Sequence, residues 1–183
     1  MKPGSSEKSG GLTMETHRML LLFYNQLHGT QSGARMQAVE KTHTEPYRSG
    51  CPVSLGLDIF GDRWTLLIVR DLMFGGKRHF REMLASDEHI STNILADRLK
   101  MLLAEGIISK RDDPSHQQKV VYSLTEKGIA LLPILTAISD WSFSYRPVGE
   151  PYVQQARAHL SPADLNQEME DLRRLHLAPA VVP

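Results

Sequence analysis

The sequence predicts a mainly α fold with a small β-wing, a winged helix-turn-helix that dimerises through its terminal helices. Three observations lead there. A short basic helix over residues 77–85 (KRHFREMLA) is followed by a polar turn, Asp87, Glu88 and His89, and then by a helix opening at Ser91. Two β-rich segments, residues 107–111 and 119–124, flank a polar loop. An apolar stripe, Leu131, Leu132, Leu135, Ile138 and Trp141, then recurs at helical spacing. A helix-turn-helix with a hairpin behind it is built to seat one helix in the major groove of DNA.

The elements follow in order. Pro52 suits the first turn of a helix, which carries Val53, Leu55, Leu57, Ile59 and Phe60 to a stop at Gly61. A second helix is expected over 62–74, with Trp64, Leu67, Ile68 and Leu72 on one side and Gly75-Gly76 ending it. Phe80, Met83 and Leu84 form the buried face of the third. Ser91 is an N-cap, able to accept from a backbone N–H of the first turn. Behind it Ile94, Leu95, Leu99, Leu102 and Leu103 share one face, and Gly106 closes the helix. Asp112-Asp113-Pro114-Ser115 is turn chemistry between the strands. Thr125 caps a fifth helix, bent at Pro133 and ended by Arg146-Pro147. A further helix starts at Ser161-Pro162 and carries Leu165, Met169, Leu172 and Leu175 or His176 inward.

Three regions result. Residues 1–50, rich in Gly, Ser, Thr, Gln and His, are expected to be a disordered or weakly helical extension, helical at most over 12–27, with Met14, Met19 and Met36 as alternative starts. Residues 51–146 form the winged-helix domain, and 147–183 a helical tail that supports the dimer. The size, 183 residues with 41% hydrophobic and 23% charged, suits one domain with appendages. No apolar run reaches the roughly 20 residues that span a bilayer, and residues 19–24 (MLLLFY) are too short for a signal-peptide core. The expectation is a cytoplasmic protein without a membrane partner.

The 21 basic and 21 acidic residues cancel. A neutral chain argues against a strongly basic DNA footprint unless charge is segregated by face. The single cysteine, Cys51, rules out an intramolecular disulfide, and the eight histidines show no metal-ligand spacing, so neither metal nor cofactor is expected. His79, His89 and His116 read as exposed polar residues. No nucleophile–base–acid set or phosphate loop points to an enzyme.

Four motifs carry a resemblance. They are CPVSLGLDIFGDRWTLLIVRDL from Cys51, G-x-x-R-HF at residues 75–80, IS-x-x-x-LADRLK-x-L-x-x-EGII at 90–108, and VVYSLTEKGIALLPIL at 120–135. In this order and spacing they resemble the HxlR-type family of bacterial winged-helix regulators, over about half the chain. The resemblance implies a dimeric, DNA-binding transcriptional regulator.

The expected DNA contacts are Thr92, Asn93, Ala96 and Lys100 on the second helix of the motif, with Ser91 at its cap. Asn pairs bidentately with adenine, Thr and Ala meet a thymine methyl, and Lys reaches guanine or phosphate. Asp97 on the same face repels phosphate unless it pairs with Arg98 or Lys100 or accepts from cytosine. Arg78, Arg81, Lys110, Arg111, His116 and Lys119 are the expected backbone contacts. Leu131, Leu135, Ile138 and Trp141 are the expected dimer interface. Trp64, Trp141, Phe143 and Tyr145 read as aromatic core and interface before ligand pocket.

Cys51 stands where the resemblance places the thiol sensor of some family members. A helix N-terminus, with Arg48 near, favours the reactive thiolate. A small apolar residue at a helix start is the plainer alternative. Oxidation of a lone cysteine would give an inter-subunit or a mixed disulfide. The sequence thus leads to a homodimeric regulator, expected to be a repressor, on a two-half-site operator, with an electrophile sensed at Cys51. A regulator answering a small molecule with Cys51 inert, or a winged-helix module that binds protein, are the alternatives.

Overall fold

The computed structural model describes residues 50–113, 116–155 and 162–177. The expected N-terminal extension, with Arg48, lies outside them, as do the turn residues Pro114 and Ser115 and the helix-opening Ser161. The described elements are α1 (Pro52–Phe60), α2 (Thr65–Met73), α3 (Phe80–Leu84), α4 (Thr92–Ala104), β1 (Ile108–Asp113), β2 (His116–Leu124), α5 (Glu126–Ile129), α6 (Leu132–Tyr145), α7 (Glu150–Gln155) and α8 (Pro162–Leu177). This is the mainly helical fold with one antiparallel hairpin that the sequence predicts. None of the described helices is long and apolar enough to cross a membrane.

Local chemistry explains where each helix starts. Cys51 is the N-cap of α1, with Pro52 in the first turn, where a missing N–H costs nothing. Helix α2 begins at Thr65 rather than Asp62, with Trp64 at its N-cap, and the Asp62 carboxylate ahead of it accepts from the N–H groups of Trp64 (2.8 Å) and Thr65 (3.0 Å). Helix α3 is shorter than expected. Residues 77–79 run extended beside β2, where the Tyr122 N–H donates to the Arg78 carbonyl at 2.8 Å. Ser91 caps α4 through the Ile94 N–H. At the other end Gly106 adopts φ +63°, and the Ile107 and Gly106 N–H groups reach back to the Leu102 and Leu103 carbonyls, a Schellman closure.

The single bent helix expected after Thr125 is two helices. Helix α5 ends at Ile129, and Pro133 sits in the first turn of α6 instead of bending a longer rod. Proline lacks the N–H that a helix interior needs, but a first turn has no use for it. The Thr125 hydroxyl caps α5 through the Gly128 N–H, and the Thr125 N–H itself is held by the Ile107 carbonyl at 3.1 Å. This packs Gly128 against the Ile107 carbonyl, just ahead of β1.

The core gathers Leu72 of α2, Met83 of α3, Leu95 and Leu102 of α4, Leu124 of β2, Ile129 of α5 and Leu132 of α6. Among them lies one carboxylate, Asp71, only 4% exposed. It accepts from Arg70 Nη2 (2.6 Å) and Lys77 Nζ (3.1 Å), and from the Ser86 hydroxyl. Arg70 continues to Glu88 in the turn before α4, at 2.5 and 3.1 Å. That ion pair draws the Glu88 carboxyl below its ordinary pKa. In the same turn His89 holds φ 54°, a left-handed conformation that costs a non-glycine residue roughly 1–2 kcal/mol.

Two substitutions test these constraints. A Cβ on Gly128 would lie 2.3 Å from the Ile107 carbonyl oxygen. Gly128→Ala is therefore expected to destabilise the domain by about 1–3 kcal/mol in urea unfolding. His89→Gly relieves the left-handed strain and is expected to be neutral or to stabilise by up to about 1 kcal/mol in the same assay.

Candidate nucleic-acid interface

Helix α4 divides into two faces. Leu95, Leu99 and Leu102 are buried and Leu103 is half-buried. Thr92, Asn93, Ala96, Asp97 and Lys100 are all exposed, with Ser91 at the cap. Ile94, expected on the inner face, is exposed, because the helix turns its inward axis through Leu95. An apolar side chain beside Asn93 adds a surface able to meet a thymine methyl. Arg98 does not pair with Asp97. Its Nη1 faces Asp62 Oδ2 at 3.5 Å, linking α4 to the segment ahead of α2.

The hairpin pairs Ile108 with Leu124, Lys110 with Tyr122 and Arg111 with Val121, and its register shifts between Asp112 and Asp113. Lys110, Arg111 and Lys119 are exposed, as is Arg81 on α3. The side chain of His116 lies outside the described residues.

Arg78, expected as a backbone contact, is half-buried and turned toward β2. Its Nε donates to the Tyr122 carbonyl at 2.6 Å and its Nη2 to the Ser123 hydroxyl. Burial, and then the nearby Arg111 cation, lower its pKa from the ordinary guanidinium value. His79 is not an exposed polar residue. Half-buried, it faces the Val120 carbonyl through Nδ1 at 3.0 Å and Asp113 through Nε2 at 3.8 Å. The two residues that precede α3 therefore fasten the wing to the helix-turn-helix. Below them Glu82 accepts the backbone N–H groups of Arg78 (2.8 Å) and His79 (2.9 Å). Partial burial works against ionisation of Glu82, yet these two bonds hold its pKa below the usual value.

The stripe beyond the wing is split. Leu131 and Leu135 belong to the core, not to an interface, because α6 packs that face on α2 and α8. The outward face of α6 is Ile134, Ile138 (47% exposed), Trp141 (55% exposed) and Tyr145, with Trp141 and Tyr145 ring centroids 5.6 Å apart. Ile134 was missed because a helical period marks apolar faces without saying which one meets the protomer's own core. Phe143 is exposed too, so these aromatics are surface, not core, while Trp64 is half-buried under Arg63. On α1, Val53 and Leu57 are 70% and 56% exposed, and Cys51 is exposed at its cap. No group of three or more His, Cys, Asp or Glu side chains suited to a metal occurs among the described residues.

A capped, outward-facing helix after a short turn, backed by a cationic hairpin, defines a helix-turn-helix regulator that binds DNA. The chain belongs to the HxlR-like helix-turn-helix family, whose model matches residues 59–150. It is 35% identical over 113 residues to YybR of Bacillus subtilis, named an uncharacterised HTH-type transcriptional regulator, covering 62% of this chain and 90% of that one. It is 33% identical over 108 residues to the HTH-type transcriptional regulator YodB of the same organism, covering 58% of this chain and 96% of YodB. The crystal structure of PA1607, a candidate transcription factor, superposes with a TM-score of 0.51 at 39% identity, covering 56% of this chain and 70% of that one.

The contrast between Arg78 and Arg111 is testable. Arg78→Ala is expected to lower stability by about 2 kcal/mol, since it strands a strand carbonyl and a buried serine hydroxyl. Arg111→Ala, at an exposed position, is expected to leave the melting temperature within about a degree and to weaken duplex binding. Thermal melts and binding titrations on both variants check this.

Proposed function

We propose that this protein is a homodimeric transcriptional regulator in which Thr92, Asn93, Ile94, Ala96 and Lys100 of α4 read base edges. Arg81, Lys110, Arg111 and Lys119 meet the phosphate backbone. One observation carries the reading: the outer face of α4 is exposed along its length while its inner face is locked in the core. Asp97 on that face selects against close phosphate approach and is placed to accept from a cytosine amino group. Replacing Asn93 by Ala is expected to cost roughly 1–3 kcal/mol at one base position and to relax specificity there. Replacing Lys119 by Ala is expected to weaken binding to all sequences and flatten the salt dependence. A duplex selected from random sequence and titrated at several salt concentrations supplies the measurement. A chain that binds no duplex in a salt-dependent way would instead be a protein-binding module.

A second copy of the chain is the partner we assign to the outward faces of α1 and α6. Val53, Leu57, Ile134, Ile138 and Trp141 are large apolar side chains held out to water on a small domain. A symmetric pairing that covers them would set two α4 helices toward two half-sites about one helical turn apart. Ile138→Asp is expected to give monomers in sedimentation with at least tenfold weaker operator binding. An unchanged dimer would move the interface elsewhere.

The input we assign is an oxidant or electrophile at Cys51, at the start of α1, where an adduct or an inter-subunit disulfide would alter how paired helices meet. Diamide or a quinone is expected to release wild type from its operator and to leave Cys51→Ser bound. Equal responses would make the effector a small molecule and Cys51 a structural residue. Repression is the expected output.

A further inference from the structure

Helix α8 lies beyond the residues that match the family, yet it is fastened to the base of the wing. Leu172, 3% exposed, enters the core, with Leu165 and Met169 packed beside it. Arg173 Nε reaches the Glu126 carboxylate of α5 at 3.0 and 3.1 Å. One turn further His176 is buried, and its Nδ1 accepts the backbone N–H of Leu124 at 3.1 Å.

That last bond falls on an open strand edge. One edge of β2 pairs with β1. On the other, the Tyr122 N–H is taken by the Arg78 carbonyl and the Leu124 N–H by His176. A strand N–H left buried without an acceptor loses its hydrogen bond to water and gains none in return. Acceptance at Nδ1 requires the neutral ring with its proton on Nε2. A protonated ring has no acceptor to offer and would set N–H against N–H.

We propose that His176 is a positioning residue for the wing. Its neutral ring clamps α8 to the base of β2, and protonation releases the clamp and loosens the hairpin that carries Lys110, Arg111 and Lys119. The proposal rests on the reading of that hairpin as a DNA contact.

The surroundings favour the neutral state. Burial first, and then the Arg78 cation ahead of α3, push the ring's pKa from 6.5 down to about 4, with the Leu72 carbonyl of α2 opposing them. Nε2 is buried and makes no full hydrogen bond. Glu126 of α5 is engaged by Arg173, Lys127 by Glu105, and Asp171 of α8 by Arg174. Asp71 of α2 is engaged by Arg70 and Lys77, and neither Asp140 of α6 nor Lys119 and Tyr122 of β2 figures among the groups acting on the ring. Because the docked pKa lies below the undocked one, the clamp is at full strength above pH 6.5 and is lost as pH falls through 4. Between pH 7.5 and 5 its opening constant should rise about thirtyfold.

The test uses the full chain. Hydrogen exchange at the Leu124 amide and affinity for a selected operator duplex are measured from pH 7.5 to 5 in wild type, His176→Gln and Leu172→Asp. Glutamine keeps an acceptor and does not titrate. A melt at pH 7.5 confirms that each variant is folded. The expected result is a roughly thirtyfold rise in Leu124 opening in wild type, with a loss of operator affinity in step, and no such response in His176→Gln. Leu172→Asp, with the tail undocked, should bind the operator several-fold more weakly at every pH. The same pH response in wild type and His176→Gln, or wild-type affinity in Leu172→Asp, would overturn the proposal while DNA binding stands. A wild-type chain that binds no duplex at pH 7.5 would overturn both.

Discussion

The structure depends on keeping one buried carboxylate satisfied. Asp71 sits in the apolar interior of the helix-turn-helix, where an unpaired charge would cost several kcal/mol. Its partners come from three places: Arg70 on its own helix, Lys77 in the extended segment ahead of α3, and Ser86 just after α3. Satisfying one group therefore fixes the mutual placement of three segments. Arg70 carries the constraint on to Glu88, so the turn that delivers α4 is held by the same network. An apolar residue at this position could fill the space but would not dictate where those three donors stand.

The elements set by short-range chemistry were legible in the chain. Ser91 and Gly106 announce the two ends of α4 because capping and left-handed closure depend only on neighbouring residues. The hairpin was legible for the same reason, as β-rich runs around a turn. The outer face of α4 followed from helical periodicity once its ends were known, with Ile94 the one residue misplaced. What stayed hidden involves partners far along the chain. Arg78 reads as a surface cation until Tyr122 and Ser123 are seen to claim it, 44 and 45 residues later. His176 meets Leu124 across 52 residues, and nothing local announces that pairing. The division of the long apolar stripe was hidden differently, since Leu131 and Leu135 face inward while Ile138 and Trp141 face out.

Formal neutrality does not describe the surface that matters for a polyanion. The wing strands display Lys110, Arg111 and Lys119, while acidic side chains such as Glu170 and Asp171 stand on α8 and are engaged there with arginines. Within a Debye length of about 8 Å at physiological salt, the local arrangement governs attraction more than the sum over the chain. Asp112 and Asp113 follow on β1, so negative charge interrupts the cationic run near the hairpin tip.

The separation of faces on α4 has an evolutionary consequence. Its inner residues are committed to the core and its ends to caps, but Thr92, Asn93, Ala96, Asp97 and Lys100 are exposed and lie outside the core. Exchanges at such positions change stability by roughly half a kcal/mol or less. If α4 reads DNA as proposed, a lineage built on this scaffold can therefore drift from one target sequence to another through viable intermediates. Duplicated copies can diverge in the genes they control while the framework beneath them stays the same.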